Sequence, residues 1–206
     1  MDNLTLISDA DNSAIATWLQ GRLRTSLQGA EGTIAICLPG GSTPFPILEQ
    51  LKESTLDWSR IEVWPGDDRI VPEDHEASNT GKIRALLEPA GAAVRTLTEY
   101  TQPPKFALVW LGMGADGHIA SLFPNTDPQT DDELSIRRLT PDPLPPEAPF
   151  DRITLTIPAL LNSDALMFVI RGEEKRAVFD AAVAGQHDLP VARLLQKADQ
   201  PVQCFA

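Results

Sequence analysis

The stretch Phe106–Pro124, FALVWLGMGADGHIASLFP, decides the reading of this chain. Its first six residues, Phe106–Leu111, are uninterruptedly apolar, which is the pattern of a strand buried on both faces. Gly112, Gly114 and Gly117 follow within six residues and let the backbone turn sharply and approach a ligand closely. His118 comes next, above the carboxyl end of the strand, where open α/β sheets bind their ligands. Histidine is also the commonest general base near neutral pH. The segment after His118 reads as a short helix that Pro124 stops within two turns.

Working outward, short apolar runs alternate with helical periodicity. Leu4–Ile7, Thr33–Leu38, Ile61–Trp64, Phe106–Leu111, Ala165–Ile170 and Val202–Phe205 read as strands, and Arg152–Ile157 alternates with Thr and Ile. Asp11–Leu27 places Ile15, Trp18, Leu19, Leu23 and Leu27 on one helical face, with Asp11 or Asn12 as its N-cap. Pro44–Leu51, Ser78–Leu87, Glu173–Ala184 and Val191–Ala198 are the other helices. The pattern predicts a single α/β/α three-layer domain over residues 1–206 with a mostly parallel sheet. Residues 124–149 hold seven prolines and little periodicity, so they are expected as an irregular surface connection.

Bulk properties narrow the function. A chain of 206 residues with 42% hydrophobic and 22% charged content buries a full core as one domain. Seventeen Lys and Arg against 29 Asp and Glu give −12, which argues against nucleic-acid binding. An anionic small substrate is still admissible, because a few local cations dominate a pocket. Cys37 and Cys204 are far apart, and Cys37 lies inside an apolar run, so buried free thiols are expected. The acidic N-terminus lacks an apolar leader segment and no run is long enough to span a membrane. The expectation is a soluble, cytoplasmic protein with no membrane or nucleic-acid partner, a monomer or weak dimer.

Three further strand ends carry chemistry. Gly40-Gly41-Ser42-Thr43 lies between a strand and a helix, where free backbone N–H groups and the positive helix end suit an anion. It is not a P-loop, since Gly-Lys-Ser/Thr is missing; alternatively, Thr43 merely caps the helix. Asp67-Asp68-Arg69 places a guanidinium fork after another strand, either for a phosphate or as a local Asp–Arg pair. Lys175 falls in the first turn of the helix from Glu173, where a cation opposes the helix dipole unless a bound anion, or Glu173 and Glu174, compensate it.

Several chemistries are disfavoured. The Gly112-x-Gly114-x-x-Gly117 spelling matches the dinucleotide fingerprint, with Asp131 and Asp132 about 20 residues on. The fingerprint needs a full helix and a second strand after it, and proline-rich sequence follows instead. His75 and His187 read as loop residues, and no histidine pair or cysteine has ligand spacing, so neither a metal nor an organic cofactor is expected. There is no Gly-x-Ser-x-Gly nucleophile elbow.

Taken in order, these residues resemble the 6-phosphogluconolactonase family. The resemblance rests on Gly40-Gly41-Ser42-Thr43-Pro44, on Asp67-Asp68-Arg69 with Ser78-Asn79, and on Leu111–Pro124. It continues through Arg152-Ile153-Thr154-Leu155-Thr156 and Gly172-Glu173-Glu174-Lys175, and so spans most of the chain. Two positions depart from the family pattern: Asp68 stands where glutamate is usual, and Thr80 where an aromatic residue often follows Ser-Asn. The resemblance implies a fold of the phosphosugar isomerase and deaminase type. It implies hydrolysis of 6-phospho-D-glucono-1,5-lactone in the oxidative pentose phosphate pathway. On that reading His118 activates water and Asp116 orients its imidazole. Gly40, Gly41, Ser42, Thr43, Arg69 and Lys175 hold the phosphate, with His118 itself touching the substrate. The alternatives are an aminosugar-phosphate deaminase or isomerase, and a non-catalytic sugar-phosphate sensor. The deaminases usually have Ala-Phe after the histidine turn and a tyrosine after the acidic pair, unlike this chain.

Overall fold

A computed structural model describes all residues except Pro145 and Glu147. In chain order its elements are β1 (Leu4–Ile7), α1 (Asn12–Gly29), β2 (Ile34–Leu38), α2 (Pro44–Lys52), β3 (Ile61–Pro65), β4 (Asp67–Arg69), α3 (Asn79–Leu87) and β5 (Ala93–Val94). There follow β6 (Phe106–Leu111), β7 (Ile136–Leu139), β8 (Arg152–Leu155), α4 (Ile157–Leu161), β9 (Leu166–Val169), α5 (Glu173–Val183), α6 (Pro190–Lys197) and β10 (Val202–Phe205). Local chemistry sets several of these bounds. Asp11 caps α1 by accepting from Ala14 N at 2.7 Å, and Ser78 caps α3 by accepting from Gly81 N at 3.0 Å. Pro44 and Pro190 open α2 and α6, where a missing N–H costs no helical bond.

Seven strands form one parallel sheet in the order β1-β10-β9-β6-β2-β3-β5. Successive side chains of the central strands enter opposite cores. In β2, Ile34, Ile36 and Leu38 join α1, α2 and α3 on one face, while Ala35 and Cys37 join α5 and α6 on the other. Trp110 of β6 and Met167 of β9 belong to the first core; Leu111 and Phe168 belong to the second. Both faces are therefore covered, the condition under which continuous apolar strands are stable. The three-layer α/β/α architecture is as the sequence implies.

A second, three-stranded antiparallel sheet, β4-β8-β7, is an addition. It corrects the reading of residues 124–149 as an irregular connection, because β7 lies inside that stretch. Only Ile136 of β7 is buried, while Arg137 and Arg138 are exposed. The strand exists by pairing with β8 and leaves no apolar pattern in sequence. The Arg152–Ile157 run is likewise two elements, β8 ending at Leu155 and α4 starting at Ile157.

The direction in which successive strands are added to the parallel sheet reverses between β2 and β6. From β2 the chain continues outward to β3 and β5, and from β6 outward to β9 and β10. The turns leaving the carboxyl ends of β2 and β6 therefore diverge and open a crevice, the position at which such sheets bind ligands. Among the described residues no helix is long and apolar enough to cross a membrane.

Candidate functional site

The crevice is a cavity of about 280 Å³ whose wall includes Gly40–Thr43 from the β2 turn, Gly114 and His118 from the β6 turn, and Asp67, Arg69 and Lys175. Of the sequence-predicted residues, only Asp116 is outside this wall, and it touches His118 directly. A wider space of about 810 Å³ shares Asp67, Arg69, His118 and Ala120 with it and extends towards Lys82, Phe150 and Arg152.

The β6 turn is not a strand-to-helix turn, which corrects that expectation. Residues 118–123 form no helix. Ile119 bridges to both Met113 and Leu122, and Ala120 adopts φ +48°, a left-handed conformation that no α-helix accommodates. The loop is anchored instead by hydrogen bonds to other elements. Ser121 N donates to Thr154 Oγ1 at 3.2 Å, and Val191 N at the start of α6 donates to the Gly117 carbonyl at 3.1 Å. The first helical turn comes only at Pro124–Thr126.

His118 Nδ1 lies 2.6 Å from Asp116 Oδ1, and the same oxygen accepts from His118 N at 3.2 Å. The bond to His118 holds the Asp116 carboxyl below the usual range, against a smaller opposing effect of partial burial. Phe123 packs 4.8 Å from the imidazole, centroid to centroid. With Nδ1 occupied by a carboxylate, Nε2 is the ring nitrogen that makes no hydrogen bond among the described residues. A ring so held has a lone pair at Nε2 for a proton, and loses little freedom on using it.

The β2 turn does more than close a helix. Thr43 precedes α2 with helical backbone angles and makes no side-chain cap hydrogen bond, so the capping alternative is not what is observed. The N–H groups of Gly40, Gly41 and Ser42 have no backbone partner among the described residues. Gly40 packs against the Asn79 side chain so closely that a β-carbon would fall 2.0 Å from Oδ1, and Gly41 has φ +93°. Both positions require glycine.

The acidic pair behaves differently from a local Asp–Arg pair. Asp68 accepts from Arg69 N, Ser78 Oγ, Asn79 N and Thr80 N, at 2.6–3.1 Å. The Arg69 guanidinium turns away and donates through Nη1 to the Ala77 carbonyl at 2.8 Å and to Asn79 Oδ1 at 3.2 Å. Among the described residues it forms no ion pair, and its Nε is buried without a partner. Lys175, half-buried in the first turn of α5, makes no ion pair with Glu173 or Glu174. Its charge faces the cavity uncompensated by them.

Asp67 was not singled out as a site residue in sequence, nor were Asn79, Ser121 and Arg152. Asp67 is buried, accepts from Ser121 Oγ at 2.5 Å, and lines both spaces beside His118. Burial pushes its carboxyl up, with the Ser121 bond and the Arg69 and Arg152 guanidiniums opposing. Arg152 is 3% exposed and donates to the Ala148 and Phe150 carbonyls. The signal for Asp67 was its alternation with Asp68 along a strand, which sends the two carboxylates to opposite faces. Among the described residues no group of three or more His, Cys, Asp and Glu has metal-site geometry.

Comparison with known proteins gives the chain's family. Residues 9–92 and 87–203 match the family described as glucosamine-6-phosphate isomerases/6-phosphogluconolactonase. A 6-phosphogluconolactonase of Neisseria meningitidis serogroup A is 32% identical over 93% of this chain and 89% of its own length. One from Pseudomonas aeruginosa is 35% identical over 88% and 85%. The crystal structure of a 6-phosphogluconolactonase from Shewanella baltica superimposes with a TM-score of 0.81 at 27% identity, covering 98% of this chain and 97% of that one.

Proposed function

The chain belongs to the glucosamine-6-phosphate isomerase/6-phosphogluconolactonase family, and from that premise we propose how its residues carry out lactone hydrolysis. The substrate is 6-phospho-D-glucono-1,5-lactone and the product 6-phosphogluconate, in the oxidative pentose phosphate pathway of the cytoplasm. The observation that carries the reading is the Asp116–His118 pair at 2.6 Å on one side of a crevice whose other side is the Gly40–Thr43 turn.

The lactone carbonyl is already electrophilic, so catalysis needs a placed water and a proton carrier. In our reading the phosphate rests against the N–H groups of Gly40, Gly41 and Ser42, the Thr43 hydroxyl, and the charges of Arg69 and Lys175. That contact fixes the carbonyl relative to His118, which converts binding into orientation. His118 Nε2 takes a proton from water as its oxygen bonds to the carbonyl carbon. The tetrahedral intermediate then collapses, the bond to the ring oxygen breaks, and His118 returns the proton to that oxygen. Proton transfer of this kind contributes typically ~10²–10⁴-fold. Asp116 holds the imidazole in the tautomer that presents Nε2 and stabilises it while it is charged.

The aminosugar-phosphate deaminase alternative is not favoured: relatives 32% and 35% identical to the chain are named 6-phosphogluconolactonase, and Arg69 stands where that reading calls for a tyrosine. Incubation of the pure protein with each substrate tests the choice. Lactone should disappear well above the spontaneous rate, with no ammonia released from glucosamine 6-phosphate. Ammonia release at a rate comparable to lactone turnover would reverse the assignment.

A further inference from the structure

The β4-β8-β7 sheet has two faces, and only one belongs to the crevice. Asp67, opposite Thr154, turns towards Ser121 and the candidate site. Asp68, opposite Ile153 and through it Arg138, turns the other way. On that side lies a second cavity of about 330 Å³ whose wall includes Ile70, Val71, Thr80, Leu97, Tyr100 and Ile153 and which shares Arg69 with the crevice; Asp68 and Arg138 are among its polar members.

We propose that this cavity is a second binding site, for a small uncharged molecule with one apolar ring and a single hydroxyl group. Its volume accommodates such a ring, and Ile70, Val71, Leu97 and Ile153 give it apolar surface to pack against. Its charged members are of both signs, Asp68, Glu73 and Glu99 against Arg69 and Arg138. Asp68 takes four donors, Glu73 is tied to Arg84 and Thr96, and Arg138 contacts Asp151. A ligand charge of either sign would lose its hydration and meet a like charge on this wall, so an uncharged ligand is favoured.

Thr80 supplies the specific polar requirement. It is 1% exposed, and its Oγ1 is buried with no hydrogen-bond partner among the described residues. Buried hydroxyls are ordinarily satisfied, and a ligand hydroxyl is the missing partner. Of its lining residues, Tyr100 is 92% exposed and Ile70 37% exposed, which leaves apolar surface in water until a ligand covers it.

Occupancy of this second site is read by binding, independently of lactone hydrolysis. Phenol titrated into isotopically labelled protein should shift the amide signals of Thr80, Leu97 and Ile153 saturably, with a dissociation constant on the order of millimolar, as suits so small a probe. Saturating 6-phosphogluconate should leave the phenol affinity unchanged. Thr80→Val keeps the size and removes the hydroxyl, so it should weaken phenol several-fold and leave toluene unaffected. Leu97→Trp and Thr80→Phe fill the space and should weaken both probes by about tenfold or more. The proposal fails if shifts do not saturate, if 6-phosphogluconate displaces phenol, or if Thr80→Val treats phenol and toluene alike.

Discussion

The imidazole of His118 lies against the Cα of Gly114: a β-carbon on Gly114 would fall 2.2 Å from His118 Nδ1 and 2.5 Å from Asp116 Oδ1. The absence of a side chain at position 114 is therefore what permits the Asp116–His118 bond. Gly114 does not occupy the left-handed region, so alanine is conformationally admissible there and the conflict is confined to the pair. Gly114→Ala should lower kcat by about 10²-fold, the scale of a displaced general base. Its circular dichroism should stay native. Parental kcat in a folded Gly114→Ala protein would separate the pair from catalysis.

Arg69 carries a phosphate charge in this account, while also bracing Ala77 and Asn79. Arg69→Ala should weaken competitive inhibition by 6-phosphogluconate by about 2–3 kcal/mol, the size of a charge-assisted contact. An unchanged inhibition constant in a folded variant would make Arg69 purely a brace for the Gly40–Asn79 contact.

Asp67 makes stability depend on pH in a defined direction. Burial raises its carboxyl in the folded protein, so the folded state binds that proton more tightly than the unfolded one. Its contribution is then most favourable below the ordinary carboxylate range and declines as pH rises through the raised folded value. Asp67→Asn lacks this decline. The melting temperature of Asp67→Asn relative to the parent should rise between pH 4 and pH 8, as read by thermal unfolding at a series of pH values. A relative melting temperature that falls over that range would show the folded carboxylate to be net stabilised by Arg69 and Arg152.

Much of this architecture was legible in the sequence because burial on both sheet faces writes continuous apolar runs. Leu4–Ile7, Phe106–Leu111 and Val202–Phe205 are strands to the residue. The glycine turns were legible for the same local reason, since close approach and positive φ demand glycine at Gly40, Gly41 and Gly117. What escaped depends on tertiary pairing. β7 has one buried residue and is defined by its ladder with β8. The segment after His118 has the composition of a helix, yet Ser121 is drawn to Asp67 and Thr154, and Ala120 is forced to positive φ. Asp67 escaped because its partners, Ser121 and Arg152, lie 54 and 85 positions away in the chain. The assignment of Arg69 was open between an ion pair and an anion until Asp68 was seen to be filled by Ser78, Asn79 and Thr80.

The two cysteines offer a test of the core. Cys37 and Cys204 are free and fully buried. Burial raises both thiols, Cys204 to about 12, so neither forms appreciable thiolate at neutral pH. Ellman's reagent should find no reactive thiol in the native protein and two after denaturation. A rapidly reacting native thiol would place one of these strands at an accessible surface.

The claim at the centre of the account is that His118 activates water at the lactone. Its most direct test is the initial rate of 6-phospho-D-glucono-1,5-lactone disappearance, corrected for spontaneous hydrolysis, for the parent and for His118→Ala. The account predicts a loss of about 10²-fold or more in kcat. Inhibition by 6-phosphogluconate should be nearly unchanged, since phosphate contacts remain. A folded His118→Ala protein that turns over lactone at the parental rate would contradict it.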